Sequence, residues 1–134
     1  MNQENLTEQG FKPAVAEYFS GKAYVKTLVA TDEVTNCNVS DVYFEAGCRN
    51  NWHTHPSNQI LLVKGGVCYY QEEGGPVQHV EAGGAINVLP GIRHWHGASP
   101  DAPMIHVAIN INTEKGVVNW MEPVSDNEYS NQNN

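Results

Sequence analysis

Two pairs of histidines, each in an H-x-H pattern, carry most of the chemical potential of this sequence. His53 and His55 form the first pair, and His94 and His96 form the second. Side chains two residues apart on a β-strand share one face and lie roughly 6.5–7 Å apart along it. Each pair can therefore direct its two imidazoles towards one point. Gln59 can approach the first pair from the next strand along the chain.

Imidazole nitrogens and an amide oxygen make a set of neutral metal donors. Imidazole suits Zn, Cu, Fe and Ni, and oxygen donors extend the choice to Mn. A divalent ion held without a carboxylate keeps its full charge, which favours Lewis-acid chemistry on a hydroxyl or carbonyl group. His106, in a third strand-like segment, adds an imidazole that can accept or donate a proton near neutral pH. The residues therefore predict a metal site with a base beside it.

The composition excludes several other functions. Seven Lys and Arg residues against fifteen Asp and Glu residues give a net charge of −8, and the basic residues are scattered, whereas nucleic acids and anionic membranes require clustered positive charge. The longest apolar run, Ile60–Val63, is too short to span a bilayer. The first ten residues lack the basic and apolar segments of a signal peptide. We therefore expect a cytoplasmic protein with no nucleic-acid or membrane partner, whose three cysteines are reduced thiols.

Turn residues divide most of the chain into short strands at about ten-residue spacing, which is typical of a β-sandwich or barrel. A length of 134 residues fits one domain. The nine predicted strands are Ala23–Thr31, Asn38–Glu45, Asn51–His55, Gln59–Val63, Val67–Glu72, Val77–Val80, Ala85–Leu89, Arg93–Ala98 and Met104–Asn112. A short helical turn is expected within Ala14–Phe19. Residues 1–12 are expected to form a polar lead-in, and the tail Ser125–Asn134 is expected to fray.

Two glycine-bounded motifs resemble those of the cupin family. The first is Gly47-x5-His53-Thr54-His55-x3-Gln59 with Gly66 at its end, and the second is Gly83-x6-Pro90-Gly91-x2-His94. Gln59 stands where most cupins have Glu, and Leu89 takes the first Pro position of the second motif. The resemblance extends to small single-domain bacterial cupins, including manganese-dependent cupin hydroxynitrile lyases and cupins linked to carboxymuconolactone decarboxylase. The stretches that carry it are 52–56, 90–98, 104–108 and 120–124.

The resemblance implies an all-β fold, a double-stranded β-helix or jelly-roll barrel that forms one domain over residues 1–134. The barrel would span about 23–112, with an N-terminal arm at 1–22 and a C-terminal extension at 113–134. The resemblance also implies a divalent transition metal, most often Mn, with Fe, Zn or Ni as alternatives. The metal ligands that it implies are His53, His55, Gln59 and His94.

Catalysis in the implied site requires a base beside the metal. The resemblance assigns this role to His106, with His96, which shares a strand face with His94, as a second free imidazole. With the metal as Lewis acid and His106 as base, a cyanohydrin would be cleaved to an aldehyde and cyanide, or formed in reverse. The residues expected to line the substrate pocket are Ser40, Val42, Phe44, Asn50, Ala108 and Asn110.

Two other functions remain open from the sequence. One is an oxygenase in which Fe or Mn binds O₂, and the other is a metal-dependent small-molecule binder without catalysis, since one fold hosts many chemistries. Open sheet edges predict a homodimer or homotetramer that pairs through Ala23–Thr31 or through the apolar stretch 117–121. Arg49 is expected at the surface, and His79 is expected to be an exposed strand residue. Trp52, Trp95 and Trp120 are expected to serve packing.

Overall fold

Two antiparallel β-sheets make up the computed structural model, which describes residues 3–131. Within that range the strands are β1 (Lys12–Pro13), β2 (Phe19–Ser20), β3 (Ala23–Val29), β4 (Cys37–Phe44), β5 (Arg49–Asn50), β6 (His53–Thr54), β7 (Gln59–Gly65), β8 (Val67–Glu72), β9 (Gln78–Glu81), β10 (Ala85–Val88), β11 (His94–Ala98), β12 (Met104–Ile111) and β13 (Asn119–Trp120). The helices are α1 (Gln3–Glu8) and α2 (Asp126–Ser130), with 3₁₀ turns at Ala16–Tyr18 and Thr113–Lys115.

The two sheets have different strand orders. The first runs β1-β3-β4-β12-β7-β10, and the second runs β13-β6-β11-β5-β2, with β8 paired to β11 and to β9. Strands that are neighbours in space are often far apart in sequence, as expected for a jelly roll. The arrangement confirms the all-β, double-stranded β-helix fold. Each of the nine predicted strands has a counterpart, although only His53–Thr54 of the predicted strand Asn51–His55 is a strand, β6, and the separate strand β5 lies just before it.

Alternation along β12 shows how the sequence builds the interior. Met104, His106 and Ala108 are buried on the inner face, where Met104 and Ala108 belong to the largest apolar cluster. Ile105 points to the outer face and packs against a second cluster. A strand repeats its side-chain direction every two residues, so this segment of eight residues supplies both faces of its sheet. The inner face of β12 thus carries one of the site histidines into the barrel.

Segments near both ends of the described residues pack on the outer faces of the sheets, which the sequence did not predict. Leu6 of α1 and Phe11 are buried against Tyr24 and Tyr43 on the first sheet, so the expected polar lead-in contains two core residues. Tyr129 of α2 is buried against the second sheet. The expectation of a frayed tail is therefore wrong for α2, because a capping box at its N-terminus and the burial of Tyr129 hold it. Residues 132–134 of that tail lie outside the described residues.

The close approach of β5 to β11 depends on Gly97. A Cβ atom at this position would lie 2.4 Å from the carbonyl oxygen of Cys48 and 2.6 Å from the Cα of Arg49. Gly97 pairs with Arg49 in the ladder, and it directly follows His96. The absence of a side chain therefore lets β11 hold His94 and His96 close to the neighbouring strand.

The two stretches expected to pair with another chain differ in their environment. Part of 117–121 forms β13, which pairs with β6 of the same chain. The β1 strand covers β3 only at Tyr24 and Val25, and Leu28 and Val29 at the far end of β3 are exposed. Assembly of the chain into a homo-oligomer remains a prediction. No helix among residues 3–131 has the length and hydropathy needed to cross a membrane.

Candidate metal centre

Three histidines meet where β6 and β11 pair. His53 lies directly opposite His94 in the ladder, and their ring centroids are 4.2 Å apart. The His55 ring lies 5.0 Å from that of His53 and 5.3 Å from that of His94. All three side chains are buried. The two H-x-H patterns thus contribute three imidazoles to one location, as their spacing indicates.

Each of these three rings donates its Nδ1–H to a backbone carbonyl. His53 donates to Asn51 O at 2.8 Å, His55 donates to Val117 O at 2.6 Å, and His94 donates to Ile92 O at 2.8 Å. A carbonyl oxygen only accepts hydrogen bonds, so the hydrogen of each neutral ring is on Nδ1 and the lone pair is on Nε2. Histidine ligands of metals are held in this way, with the far nitrogen fixed by a carbonyl or carboxylate.

Two further observations show that these atoms fit a cation. His55 Nε2 is buried and has no hydrogen-bond partner among the described residues. Gln59 Oε1 lies 3.4 Å from His94 Nε2. Because His94 carries its hydrogen on Nδ1, these two atoms are both acceptors. Lone pairs that face one another without a hydrogen between them are suited to a shared positive ion, and the neutral donor set fits a divalent transition metal.

A second grouping shares two of these histidines. Potential ligand atoms of His53, His94 and His96 all lie within 4.8 Å of one another. The His96 ring, however, has other partners, because Asn50 Nδ2 and His106 Nε2 lie 3.3 Å and 3.0 Å from its nitrogens. In the His55 ring, by contrast, Nε2 has no hydrogen-bond partner among the described residues. A cluster of three histidines that fits a metal is therefore present, and His53 and His94 are common to both groupings.

A pair of buried histidines lies beside this cluster. His106 Nε2 and His96 Nδ1 are 3.0 Å apart, and Phe44 packs edge-on against the His106 ring with centroids 5.2 Å apart. Asn50 Oδ1 accepts a hydrogen bond from the backbone N–H of His96 at 2.9 Å. The Asn50 amide nitrogen must therefore be the atom that faces the His96 ring, and it donates to that ring. Asn50 thus fixes the orientation of His96.

Burial lowers the pKa of each of these five histidines below its ordinary value. The pKa of His94 and that of His106 fall to about 4. Desolvation lowers the pKa of His53 and that of His96 well below 6.5, and neighbouring imidazoles add to the effect. The pKa of His55 is also lowered by burial, partly offset by the nearby Val117 carbonyl and Gln59 side chain. The five rings are therefore neutral at pH 7, and each keeps one lone pair.

Four of these histidines, His53, His55, His96 and His106, line a cavity of about 400 Å³ inside the barrel. Its walls are mostly apolar, with Val42, Phe44 and Ala108 from the first sheet. Asn38, Ser40, Asn50 and Asn110 add neutral polar groups. No Asp or Glu side chain lines it in the part of the chain that the structure describes. The cavity can therefore enclose a small, largely apolar molecule next to the cluster.

The structure brings the sequence-predicted site residues together. Of the predicted ligands, His53, His55 and Gln59 line the cavity and His94 lies against His53. His96 and His106 also line it. The pocket residues predicted from the sequence, all of which border the same cavity, are Ser40, Val42, Phe44, Asn50, Ala108 and Asn110.

Sequence reasoning missed the part that the chain ends play in this cavity. Trp120 was expected to serve only packing, yet its ring lines the cavity and lies 4.7 Å from the ring of His53. Tyr18 stacks on Trp120 with centroids 4.7 Å apart. Val117 and Val118 complete this wall. The one available signal was the position of Trp120 in a stretch shared with the family.

Arg49 differs from the simpler expectation for it. Arg49 was expected at the surface, but it is buried and donates to Val124 O at 2.8 Å and to Asp126 at 2.8 Å. Its role is thus to anchor the C-terminal segment. His96 is buried on the face of β11 opposite Trp95, which packs in the outer cluster. His79 is exposed, as expected, and stacks on Tyr69.

Known proteins resemble the chain in sequence. The family described as Cupin domain matches residues 40–110. A protein of Granulicella tundricola named (R)-mandelonitrile lyase is 38% identical over 129 residues, which are 96% of this chain and 98% of that protein.

Solved structures resemble the chain in fold. A cupin-like protein from Thermotoga maritima superposes with a TM-score of 0.87 at 39% identity, over 90% of this chain and 92% of the other. A putative acetylacetone dioxygenase from Methylibium petroleiphilum superposes with a TM-score of 0.68 at 19% identity, over 92% and 81% of the two chains. At that lower identity the likeness concerns the fold alone.

Proposed function

This chain belongs to the cupin family, and from that premise we propose that it is a metal-dependent hydroxynitrile lyase. Such an enzyme splits a small cyanohydrin into a carbonyl compound and hydrogen cyanide. The observation that carries the proposal is the His96–His106 pair, with ring nitrogens 3.0 Å apart, which lines the same cavity as His53, His55 and Gln59. Two neighbouring histidines that can accept a proton face the same small cavity as a neutral donor set that would hold a divalent cation, and this arrangement suits removal of a proton from the hydroxyl group of a bound substrate.

The proposed ligands are the Nε2 atoms of His53, His55 and His94 together with Gln59 Oε1. We prefer His55 to His96 because His55 Nε2 has no hydrogen-bond partner in the described chain, whereas Asn50 and His106 contact the His96 ring. When bound, a divalent ion supplies Lewis acidity that polarises the substrate hydroxyl. Manganese is the ion that the family resemblance favours, and iron, zinc and nickel are the alternatives.

The His96–His106 pair takes the hydroxyl proton of the substrate. As the O–H electrons form the new C=O bond, the bond from carbon to the nitrile breaks and its electron pair leaves with cyanide. The proton passes from the histidine pair to the cyanide, which departs as hydrogen cyanide. Asn50 holds the His96 ring in place through its hydrogen bonds to the backbone N–H and to the ring. The reverse sequence adds hydrogen cyanide to an aldehyde or ketone.

The apolar wall of the cavity receives the hydrocarbon part of the substrate. Val42, Phe44 and Ala108 lie on the side of the first sheet, and Trp120 closes the side of the second. A cavity of about 400 Å³ has the size of a typical small-molecule site. The likeness to a protein named (R)-mandelonitrile lyase supports an aryl group as one such substituent.

The test is cyanide release from mandelonitrile, measured with elemental analysis of the same preparation. We expect a bound divalent transition metal, loss of release after treatment with a chelator, and recovery when the metal is restored. His79→Ala is the matched control, because His79 is an exposed strand histidine outside the cavity. Metal-loaded protein that binds mandelonitrile and releases no cyanide would contradict the proposal. Oxygen uptake with a substrate would instead indicate the oxygenase alternative.

Two further expectations accompany this function. We expect the chain to form a homodimer or homotetramer in solution, which size-exclusion chromatography with light scattering measures. We also expect it to act in the cytoplasm on a small molecule.

A further inference from the structure

An unsatisfied acceptor lies in the wall of the cavity. Asn110 Oδ1 is buried and has no hydrogen-bond partner among the described residues, and its side chain lines the cavity. Buried polar atoms without a partner cost free energy, and native proteins contain few of them. A group that donates a hydrogen bond to this oxygen in the working protein would account for its position.

Gln59 is a neighbour that can supply the donor. Gln59 and Asn110 lie directly opposite each other in the ladder between β7 and β12. Residues paired in this way have side chains on the same face with Cβ atoms roughly 4.5–5.5 Å apart, and both side chains line the cavity. On its other side Asn110 pairs with Asn38 of β4. Asn38 Oδ1 accepts a hydrogen bond from Ser40 Oγ at 3.1 Å, so the Nδ2 group of Asn38 is a second candidate donor, and the test below separates it from Gln59.

The amide of Gln59 needs such a partner if its oxygen is to bind a metal. An amide presents an oxygen and an NH₂ group of nearly the same shape, and only the oxygen is a ligand. Gln59 Oε1 lies 3.4 Å from His94 Nε2, so the oxygen is directed towards the histidine cluster and Nε2 is directed away from it. An amide that rotated by half a turn would place N–H groups against the cation. A fixed acceptor for Nε2 prevents this rotation.

We infer that Asn110 is a positioning residue, whose Oδ1 accepts a hydrogen bond from Gln59 Nε2 and thereby presents Gln59 Oε1 to the metal. The inference rests on the ligand set of the proposed function. It gives Asn110 a role towards the ligand Gln59 in place of, or in addition to, contact with substrate. It also explains how a neutral amide can serve at a position where a carboxylate would need no such orientation.

The experiment is a double-mutant cycle on metal affinity in the full-length protein. Mn²⁺ is added to chelator-treated protein, and the free ion is measured by electron paramagnetic resonance. We expect Asn110→Leu to weaken Mn²⁺ binding about 10- to 100-fold, the range found when partners of metal ligands are removed. In the Gln59→Ala background the same substitution should have no further effect, because Asn110 acts through Gln59. Asn87→Leu, at an exposed strand position outside the cavity, is the matched control and should bind Mn²⁺ like the wild type. Asn38→Leu removes the other amide beside Asn110, and a loss of Mn²⁺ affinity in that variant equal to the loss in Asn110→Leu would assign the donor to Asn38 instead.

Several outcomes would overturn the inference. These are an unchanged affinity in Asn110→Leu or in Gln59→Ala, or an equal loss for Asn110→Leu with and without Gln59. Asn110→Ala is a second variant that also removes the acceptor. The metal-free wild type and both Asn110 variants are compared by thermal unfolding, so that a folding defect is recognised. If both variants unfold, Asn110→Asp keeps the acceptor, and weak Mn²⁺ binding by that folded variant overturns the inference. Failure of the lyase proposal has another signature, which is a wild-type protein that binds Mn²⁺ through Gln59 and releases no cyanide.

Discussion

His106 Nε2 lies 3.0 Å from His96 Nδ1 inside the barrel, so two neutral imidazoles share one hydrogen between them. Only one of the two nitrogens can be the donor, and the hydrogen on one ring therefore fixes the tautomer of the other. Burial lowers the pKa of both rings, that of His106 to about 4. Because β11 carries His96 and β12 carries His106, the pair also connects the two sheets at the cavity.

The first prediction is that this pair acts as a unit. In metal-loaded protein, His106→Ala and His96→Ala should each lower kcat for cyanohydrin cleavage by about 10²–10⁴-fold, the typical contribution of a positioned base. The double variant should be no slower than the slower single variant, because residues that act together are not additive. Steady-state kinetics with metal content measured in each sample checks this. Losses that multiply in the double variant would show that the two histidines act independently.

The second prediction separates the two groupings of histidines around the metal. His55→Ala should lower the metal content of the purified protein, because His55 Nε2 is the buried nitrogen without a hydrogen-bond partner. His96→Ala should retain the metal, because the His96 ring is engaged by Asn50 and His106. Elemental analysis of the two variants gives the answer. Retention in His55→Ala with loss in His96→Ala would assign the metal to His53, His94 and His96 instead.

The third prediction concerns the reactivity of the thiols and its dependence on pH. Burial raises the pKa of Cys48 and that of Cys68 to about 12, and only the thiolate reacts with an alkylating agent. In native protein at pH 8, iodoacetamide should therefore label Cys37 alone, since Cys37 is partly exposed. Mass spectrometry counts the labels. The Cys37→Ser variant should not react with iodoacetamide until it is unfolded in urea. Rapid labelling of Cys48 or Cys68 in the native protein would contradict their burial.

The same two thiols predict the direction of an alkaline effect on stability. Their pKa in the folded protein is higher than the ordinary value of 9.0, so the unfolded chain loses these protons first as the pH rises. The contribution of the two thiols to the free energy of unfolding should be fully present below about pH 9 and should decrease between pH 9 and 12. Urea unfolding at a series of pH values measures how the free energy of unfolding changes with pH. Its decrease above pH 9 should be smaller in Cys48→Ala and in Cys68→Ala.

Much of the fold and the site was predictable because the signals were local. Strand alternation in Met104–Ile111 identified the inner face that carries His106 and Asn110, and the H-x-H spacing placed His94 and His96 on one face. The fold could be named because the two motifs resemble a known family. In each case the residues that matter are close together in the sequence, so a pattern can be recognised without knowing the tertiary structure.

The missed features depend on residues that are distant in the sequence. The helices α1 and α2 are too short to be stable by themselves, and each exists because it buries one side chain, Leu6 or Tyr129, on a sheet formed elsewhere in the chain. The place of Trp120 over His53 likewise follows from the pairing of β13 with β6. The H-x-H spacing does not by itself distinguish His55 from His96 as a ligand, and without the family resemblance the distinction depends on contacts of His96 with Asn50 and His106 on other strands.

The final prediction concerns Arg49, whose burial the sequence did not indicate. Its side chain is only 9% exposed, it donates two hydrogen bonds to Val124 O, and it lies over the ring of Tyr129 at 4.6 Å. Arg49→Leu should lower the free energy of unfolding by about 2 kcal/mol, because a hydrogen bond to a charged group is worth about 1.5–3 kcal/mol. Asp126→Asn should leave it almost unchanged, because Asp126 is 99% exposed and water screens its ion pair. Urea unfolding of both variants measures the difference, and an equal loss in the two would mean that the ion pair, rather than the buried contacts with Val124 and Tyr129, holds the C-terminal segment in place.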